Sequence, residues 1–212
     1  MFFSLSKFKK NNIIMKNLAK QLLNEENSIT RNKLKALIQK LVFTTISKAK
    51  KDTNLSYLGS VNSSAKILKN KTLNYNTYIV YLLPHKSSGF NTCAKASIGC
   101  ISACLNTSGR VKMDVENNIL TARMLKTLLF YYNRDFFNAW LFAEIESNKK
   151  KAIREDANFS IRLNGTSDLS TKLFNHNNIN ILDKFKDVQF YDYTKVFHLS
   201  LIHISEPTRQ EA

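Results

Sequence analysis

The chain has 212 residues and a formal net charge of +16. Hydrophobic residues make up 43% of it, enough for a core, while 5 Gly and 2 Pro are too few for a collagen-like or turn-dense all-β chain. No apolar run approaches the ~20 residues that span a bilayer, and the first ten residues hold too short an apolar stretch for a secretory signal. We therefore expect a cytoplasmic protein with no membrane partner.

The basic charge is concentrated in the first third of the chain. Residues 1–72 contain 15 Lys and Arg against 3 Asp and Glu, whereas residues 73–212 contain 17 against 13. Such asymmetry is typical of proteins that bind nucleic acid, so residues 1–51 are a candidate nucleic-acid-binding segment. A coding bias that enriches Lys and Asn together explains the same charge equally well.

Residues 15–26 and 29–51 are predicted to form two helices, separated by a break and cap at Asn27 and Ser28. Apolar side chains recur in the second helix at spacings of three and four: Leu34, Leu37, Ile38, Leu41, Val42 and Ile46. This stripe is more typical of a helix docked on a domain than of one that binds phosphates. We assign residues 1–56 to a basic N-terminal helical hairpin.

Residues 57–198 are predicted to form an α/β domain. After a polar loop at residues 57–72, strands and helices alternate in the following order: a strand at 75–83, a helix at 114–132 with Asp114 as N-cap, a helix at 135–151, a strand at 159–163, a weak helix at 178–186 and a strand at 188–193. This alternation predicts an incomplete parallel sheet or a partial barrel.

Residues 199–212 have a different character. The stretch from Leu199 to Arg209 resembles a sequencing adapter translated in one frame, and Gln210–Ala212 continue it. We predict that this tail is non-native and that the α/β domain is truncated near His198, without its later strands.

Three cysteines, Cys93, Cys100 and Cys104, are spaced C-x6-C-x3-C. Their odd number and tight grouping argue against a disulfide framework and favour reduced thiols. Cys100 and Cys104 are one helical turn apart, and the loop containing Gly99 can fold Cys93 back toward them. Three converging thiolates suit an iron–sulfur cluster or zinc, with one position left open. The alternative is three buried thiols without a metal.

Several motifs resemble those of a phage family of unknown function, gene product 88. The resemblance covers about residues 57–197 and is carried by Tyr81–Pro84, Gly89–Cys93, Gly99–Cys100, Cys104–Leu105, Gly109–Arg110, Arg162–Asp168 and Phe190–Lys195. Family members often have Pro after the first cysteine, where this chain has Ala94. A weaker similarity links the chain to phage proteins that look like radical-SAM enzymes, which implies a cluster used with S-adenosylmethionine. Radical-SAM enzymes usually space their cysteines C-x3-C-x2-C, and this chain departs from that pattern.

Polar residues follow the last two predicted strands, where parallel sheets bind ligands. We predict that they bind a substrate or cofactor: Arg162, Asn164, Thr166, Asp168, Asp192 and Lys195. An ion pair between Arg162 and Asp168, or simple turn chemistry after residue 163, would explain the same residues structurally. No Gly-rich phosphate loop, His-Glu-x-x-His or nucleophile elbow is present to indicate a hydrolase or nucleotide-binding enzyme.

Two functions remain open from the sequence. The first is an iron–sulfur protein whose three cysteines hold the cluster near the polar strand ends. The second is a nucleic-acid-binding protein in which the cysteines hold structural zinc. The first predicts sulfur atoms roughly 3.5–7 Å apart, at the same end of the sheet as Asn164–Asp168 and Lys195.

Overall fold

The computed structural model describes residues 3–62 and 74–196, with side chains from residue 11 onward. The described residues form eight helices: α1 (Phe3–Asn24), α2 (Ser28–Gln39), α3 (Ile46–Thr53), α4 (Ile98–Ser102), α5 (Arg110–Met113), α6 (Asn118–Tyr132), α7 (Arg134–Arg154) and α8 (Ile181–Lys184). They also form six strands: β1 (Gly59–Val61), β2 (Tyr75–Val80), β3 (Asn158–Arg162), β4 (Asn175–His176), β5 (Ile179–Asn180) and β6 (Gln189–Phe190). The predicted tail at 199–212 lies outside the described residues.

Four strands form one open sheet in the order β1-β2-β3-β6. Strand β3 pairs in parallel with both β2 and β6, which confirms the α/β class and the predicted parallel neighbours. Strand β1 is antiparallel to β2, so the sheet is mixed, and part of the predicted loop at 57–72 is a strand. Gly59 permits this pairing, because a Cβ there would lie 2.2 Å from the buried Tyr78 ring.

Helices α1, α2 and α3 dock against the rest of the protein. Five apolar side chains of α1 and α2 are 0–6% exposed: Met15, Ala19, Leu22, Leu34 and Ile38. The cap is confirmed, because Asn27 Oδ1 accepts hydrogen bonds from the backbone N–H groups of Ile29 and Thr30. Lysines on the outer faces of α2 and α3 are exposed, and nucleic-acid binding by residues 1–51 stays a prediction.

The single helix predicted at 29–51 is wrong, because the chain breaks between α2 and α3. Thr45 starts α3 by accepting a hydrogen bond from Lys48 N at 3.1 Å. Before it, Phe43 packs edge-to-face on Phe136, with ring centroids 6.0 Å apart. A ring anchored this way on α7, in a stretch rich in β-branched residues, outweighs the helical spacing of Leu41 and Ile46.

Helices α6 and α7 form the centre of the core, where the largest side chains, such as Phe130, Phe137 and Trp140, are fully buried. Helix α6 starts at Asn118, four residues after the predicted Asp114. Asp114 instead precedes the helix and accepts a hydrogen bond from Ile119 N at 2.5 Å. Among the described helices, none is long and apolar enough to cross a membrane.

The remaining elements are shorter than predicted. Strand β2 ends at Val80 rather than at 83, and β6 covers only Gln189–Phe190 of the predicted 188–193. The predicted helix at 178–186 is reduced to α8, because Ile179–Asn180 pair with Asn175–His176 as a small hairpin. Asn180 then caps α8 by accepting a hydrogen bond from Leu182 N.

Candidate functional site

Strands β2, β3 and β6 are parallel, so the segments that follow them meet at one edge of the sheet. We call this the carboxyl edge, and it consists of residues 81–85, 163–168 and 191–195. The six polar residues predicted to bind a substrate or cofactor therefore lie at or beside one edge. Their hydrogen bonds show which of them are already used by the fold.

Asn164 and Thr166 hold the loop after β3 in place. Asn164 Nδ2 donates to Leu169 O and to Asp192 Oδ2, each at 3.0 Å, while its Oδ1 accepts from Ser167 Oγ and from Leu169 N. Thr166 Oγ1 donates to the carbonyl oxygen of Leu82 at 2.5 Å. Because the polar atoms of Asn164 are all used within the protein, the turn-chemistry alternative describes this residue.

Arg162 is paired with Asp192, not with Asp168 as the ion-pair alternative predicted. Arg162 Nε lies 3.5 Å from Asp192 Oδ1, without hydrogen-bond geometry, and the guanidinium stacks over the Tyr193 ring at 5.0 Å. Asp192 also accepts a hydrogen bond from Asn164 N at 3.0 Å. Burial raises the pKa of Asp192 to about 6, against the lowering effect of Arg162.

A small cavity lies between the segments that follow β3 and β6. Its polar lining includes Asn164, Asp168 and Asp192, and its volume is about 50 Å³. Small-molecule sites usually measure about 300–1,000 Å³. The cavity therefore has room for water or a small ion, and the binding of a larger substrate or of S-adenosylmethionine at these residues stays a prediction.

The raised pKa of Asp192 predicts that stability falls as the pH rises from about 4 to about 6. The folded protein binds this proton more tightly than the unfolded chain, whose carboxyl has the ordinary pKa of 3.8. The difference contributes on the order of 3 kcal/mol at low pH, and this contribution is lost as the pH passes the folded pKa. Urea unfolding across this range should show the fall in wild-type protein and a weaker one in Asp192→Asn. An identical pH dependence in both would contradict the assignment.

Cys93 joins the carboxyl edge directly. It forms a parallel β-bridge with Asp168, whose N–H donates to Thr92 O at 2.8 Å. Asp168 Oδ2 in turn accepts a hydrogen bond from Lys195 N at 2.9 Å. The first cysteine is thus placed beside Asp168 and Lys195, although the Lys195 side chain is exposed.

The other two cysteines, Cys100 and Cys104, lie farther along the chain, in the segment that follows Cys93. Burial raises the pKa of the Cys93 thiol, and the negative charges of Asp168 and Cys104 raise it further. Cys100 lies on α4, and all three thiols are free and partly buried. Within residues 3–62 and 74–196, no three His, Cys, Asp or Glu side chains are grouped so that they could hold one metal ion. The predicted convergence of the three sulfurs is therefore not found in the described residues, while metal binding by the three cysteines stays a prediction.

We call residues 94–116 the cysteine excursion, and all of it is described. Asn106 is its one buried residue, and α4 and α5 bury no side chain. Its apolar residues face outward: Ile98 is 87% exposed, Met113 80% and Val115 94%. The excursion is fastened to the core through Arg123 Nη1, which donates to Asn106 Oδ1 at 2.5 Å. It therefore has almost no core of its own.

Two basic side chains beside the carboxyl edge were not identified from the sequence. Arg123 and Lys126 lie three residues apart on α6, and we call them the cation pair; Lys126 is buried, whereas Arg123 is half-buried. The Arg123 guanidinium lies 4.9 Å above the Tyr81 ring, and Lys126 Nζ lies 4.8 Å above the Tyr57 ring. Lys126 is 5% exposed. The available signal was a lysine within the mostly apolar run from Met124 to Phe130.

Glu144 on α7 faces the cation pair. Its Oε2 accepts hydrogen bonds from Leu58 N at 2.8 Å and from Tyr78 Oη at 2.9 Å. Burial raises the pKa of Glu144, and burial with the nearby charge of Arg123 lowers the pKa of Lys126 to about 8. Three ionisable groups from two helices therefore meet beside the start of β1 and the end of β2.

Residues 41–210, most of the chain, match the family model described as Gene product 88. The match begins after α2, and it ends within the segment 199–212, so the non-native origin of that tail stays a prediction. No curated protein and no solved structure matches the chain. The extent of the family match confirms the resemblance seen in the motifs: the chain belongs to the phage gene product 88 family.

Proposed function

We propose that this protein binds an iron–sulfur cluster or a metal ion through the thiolates of Cys93, Cys100 and Cys104, at the carboxyl edge of its sheet. The observation that carries the proposal is the cysteine excursion. It exposes most of its apolar side chains, yet it carries two of the three thiols and starts beside the third. Metal coordination stabilises segments that are too poor in core contacts to order themselves.

The three proposed ligands are not brought together in the described conformation. Cys93 lies at the carboxyl edge, whereas the three sulfurs are not grouped as metal ligands among the described residues. Binding therefore requires α4 to move until Cys100 approaches the other two thiols. The surroundings permit this movement, because α4 buries no side chain and a Cβ on Gly99 would meet no atom within 4 Å.

Iron and zinc are both compatible with the donor set. Three thiolates on a [4Fe–4S] cluster leave one iron open to a further ligand, as in the radical-SAM-like hypothesis. Three thiolates on zinc leave one position, which the imidazole of His85 could take. His85 is near, since its carbonyl oxygen accepts a hydrogen bond from Thr92 N at 3.1 Å. Three soft sulfur ligands favour iron–sulfur or zinc over magnesium or calcium.

The experiment is anaerobic purification of the full chain, followed by metal analysis and absorption spectroscopy. An iron–sulfur protein should be brown and contain iron and sulfide; a zinc protein should be colourless and contain about one zinc per chain. Each of Cys93→Ser, Cys100→Ser and Cys104→Ser should lose most of the bound metal. Ser102→Ala, on the exposed side of α4, is the matched control and should retain it. A chain without stoichiometric metal, or serine variants that bind as much as wild type, would disprove the proposal.

A further inference from the structure

The cation pair carries an inference that does not depend on the thiolates. Lys126 is almost fully buried, and its Nζ makes no hydrogen bond or ion pair within 4 Å among the described residues. Arg123 uses Nη1 for Asn106, and its other N–H groups make no hydrogen bond in the same part of the chain. Two cations thus face the carboxyl edge with unused donors.

The local charges do not balance. Glu144 is the one buried carboxylate that acts on Lys126 among the described residues, and its Oε2 already accepts hydrogen bonds from Leu58, Gly59 and Tyr78. Two cations against one carboxylate leave an excess positive charge in a poorly solvated place. A buried charge without a partner is costly, so an arrangement of this kind is typical of sites whose ligand supplies the missing charge.

The hydrogen-bond donors of Arg123 and Lys126, and their arrangement, favour binding of a phosphate group. Arginine presents a planar fork of N–H groups, and lysine adds a point charge one helical turn away; together they suit a tetrahedral dianion. The Tyr57 ring covers Lys126, and because Tyr57 is 48% exposed, rotation of its side chain would open Lys126 to a ligand. The cation pair is also continuous with the loop after β3, because Gly165 packs against the Tyr81 ring.

We propose that Arg123 and Lys126 bind the phosphate of a small phosphate-bearing ligand, between Tyr57 and Tyr81 at the carboxyl edge of the sheet. The phosphate supplies the negative charge that the pair lacks. The ligand is either free phosphate or a phosphomonoester, such as a mononucleotide whose base stacks on the exposed Tyr57 ring.

The test is isothermal titration calorimetry of the full chain with inorganic phosphate and, separately, with adenosine monophosphate, at constant ionic strength in chloride. Wild-type protein should bind both saturably; equal affinity assigns free phosphate, and tighter binding of the nucleotide assigns a phosphomonoester. Lys126→Met should weaken binding by about tenfold or more, because it removes a charged donor while keeping the length of the side chain. Lys33→Met, an exposed lysine on α2, is the matched control and should bind as wild type.

A second variant covers the case in which Lys126→Met does not fold. Lys126→Arg keeps the charge and should keep measurable binding. Phosphate should also raise the melting temperature of wild-type protein above that in chloride at the same ionic strength, since a ligand that binds only the folded state stabilises it. The proposal is overturned if wild-type protein shows neither saturable phosphate binding nor this stabilisation, or if Lys126→Met and Lys33→Met bind phosphate equally well.

Discussion

Replacing Glu144 by alanine is expected to destabilise the protein by about 3–5 kcal/mol, because three buried donors lose their acceptor and each unsatisfied buried donor costs about 1–3 kcal/mol. The change leaves the backbone N–H groups of Leu58 and Gly59 and the hydroxyl of Tyr78 without their acceptor, and it leaves Lys126 without a nearby carboxylate. Urea unfolding monitored by circular dichroism measures this loss.

Glu146 provides the matched control on the same helix. Its carboxylate is 42% exposed and pairs with Lys150 at 3.6 Å, so Glu146→Ala should cost less than about 1 kcal/mol. Combining Glu144→Ala with Lys126→Met should cost less than the sum of the two single changes, because the ammonium that loses its neighbouring carboxylate in Glu144→Ala is absent from the double variant. Equal effects at Glu144 and Glu146 would show that the buried carboxylate does not stabilise the junction of α7 with β1.

Trp140→Ala is the second change with a large expected effect. The indole is fully buried in the core and packs edge-to-face on Phe136, with centroids 6.1 Å apart. Truncating a buried Trp typically costs about 3–5 kcal/mol, through lost contacts and the cavity that remains. Because small domains are only marginally stable, we expect much of Trp140→Ala to be unfolded at room temperature.

Trp140→Phe distinguishes the contribution of aromatic packing from that of the indole N–H group. The indole Nε1 is buried and has no hydrogen-bond partner among the described residues. A phenylalanine removes this unsatisfied donor while it keeps most of the aromatic contact, so we expect a loss well below that of Trp140→Ala. Thermal unfolding of both variants, followed by circular dichroism, decides the point. A loss in Trp140→Phe as large as that in Trp140→Ala would contradict it.

The parallel part of the sheet could be predicted from the sequence, because its strands are separated by long helical segments. Strand β3 follows α6 and α7, and the pattern of apolar residues is enough to identify all three. Once β2 and β3 are known to be parallel, their following segments must share an edge. That is why Cys93 and Asp168 could be expected together, and they pair in a β-bridge.

Other features depend on contacts that spacing cannot reveal. Strand β1 is three residues long in a polar stretch, and it forms only because β2 offers a partner and Gly59 clears the Tyr78 ring. Glu144 accepts a hydrogen bond from Leu58, 86 residues away in the chain. Asp168 is close to Arg162 in the sequence, but the tertiary structure pairs Arg162 with the more distant Asp192. Tertiary contacts also override local helix propensity between α2 and α3.

The most direct test of the proposed thiolate site is X-ray absorption spectroscopy at the edge of the metal that copurifies with the full chain. Coordination by Cys93, Cys100 and Cys104 predicts about three sulfur scatterers at about 2.3 Å for zinc, or a sulfur shell with short iron–iron distances for an iron–sulfur cluster. In either case, the first shell of the metal in Cys100→Ser should contain fewer sulfur scatterers from the protein. A first shell made only of oxygen and nitrogen scatterers would contradict metal binding by the cysteines.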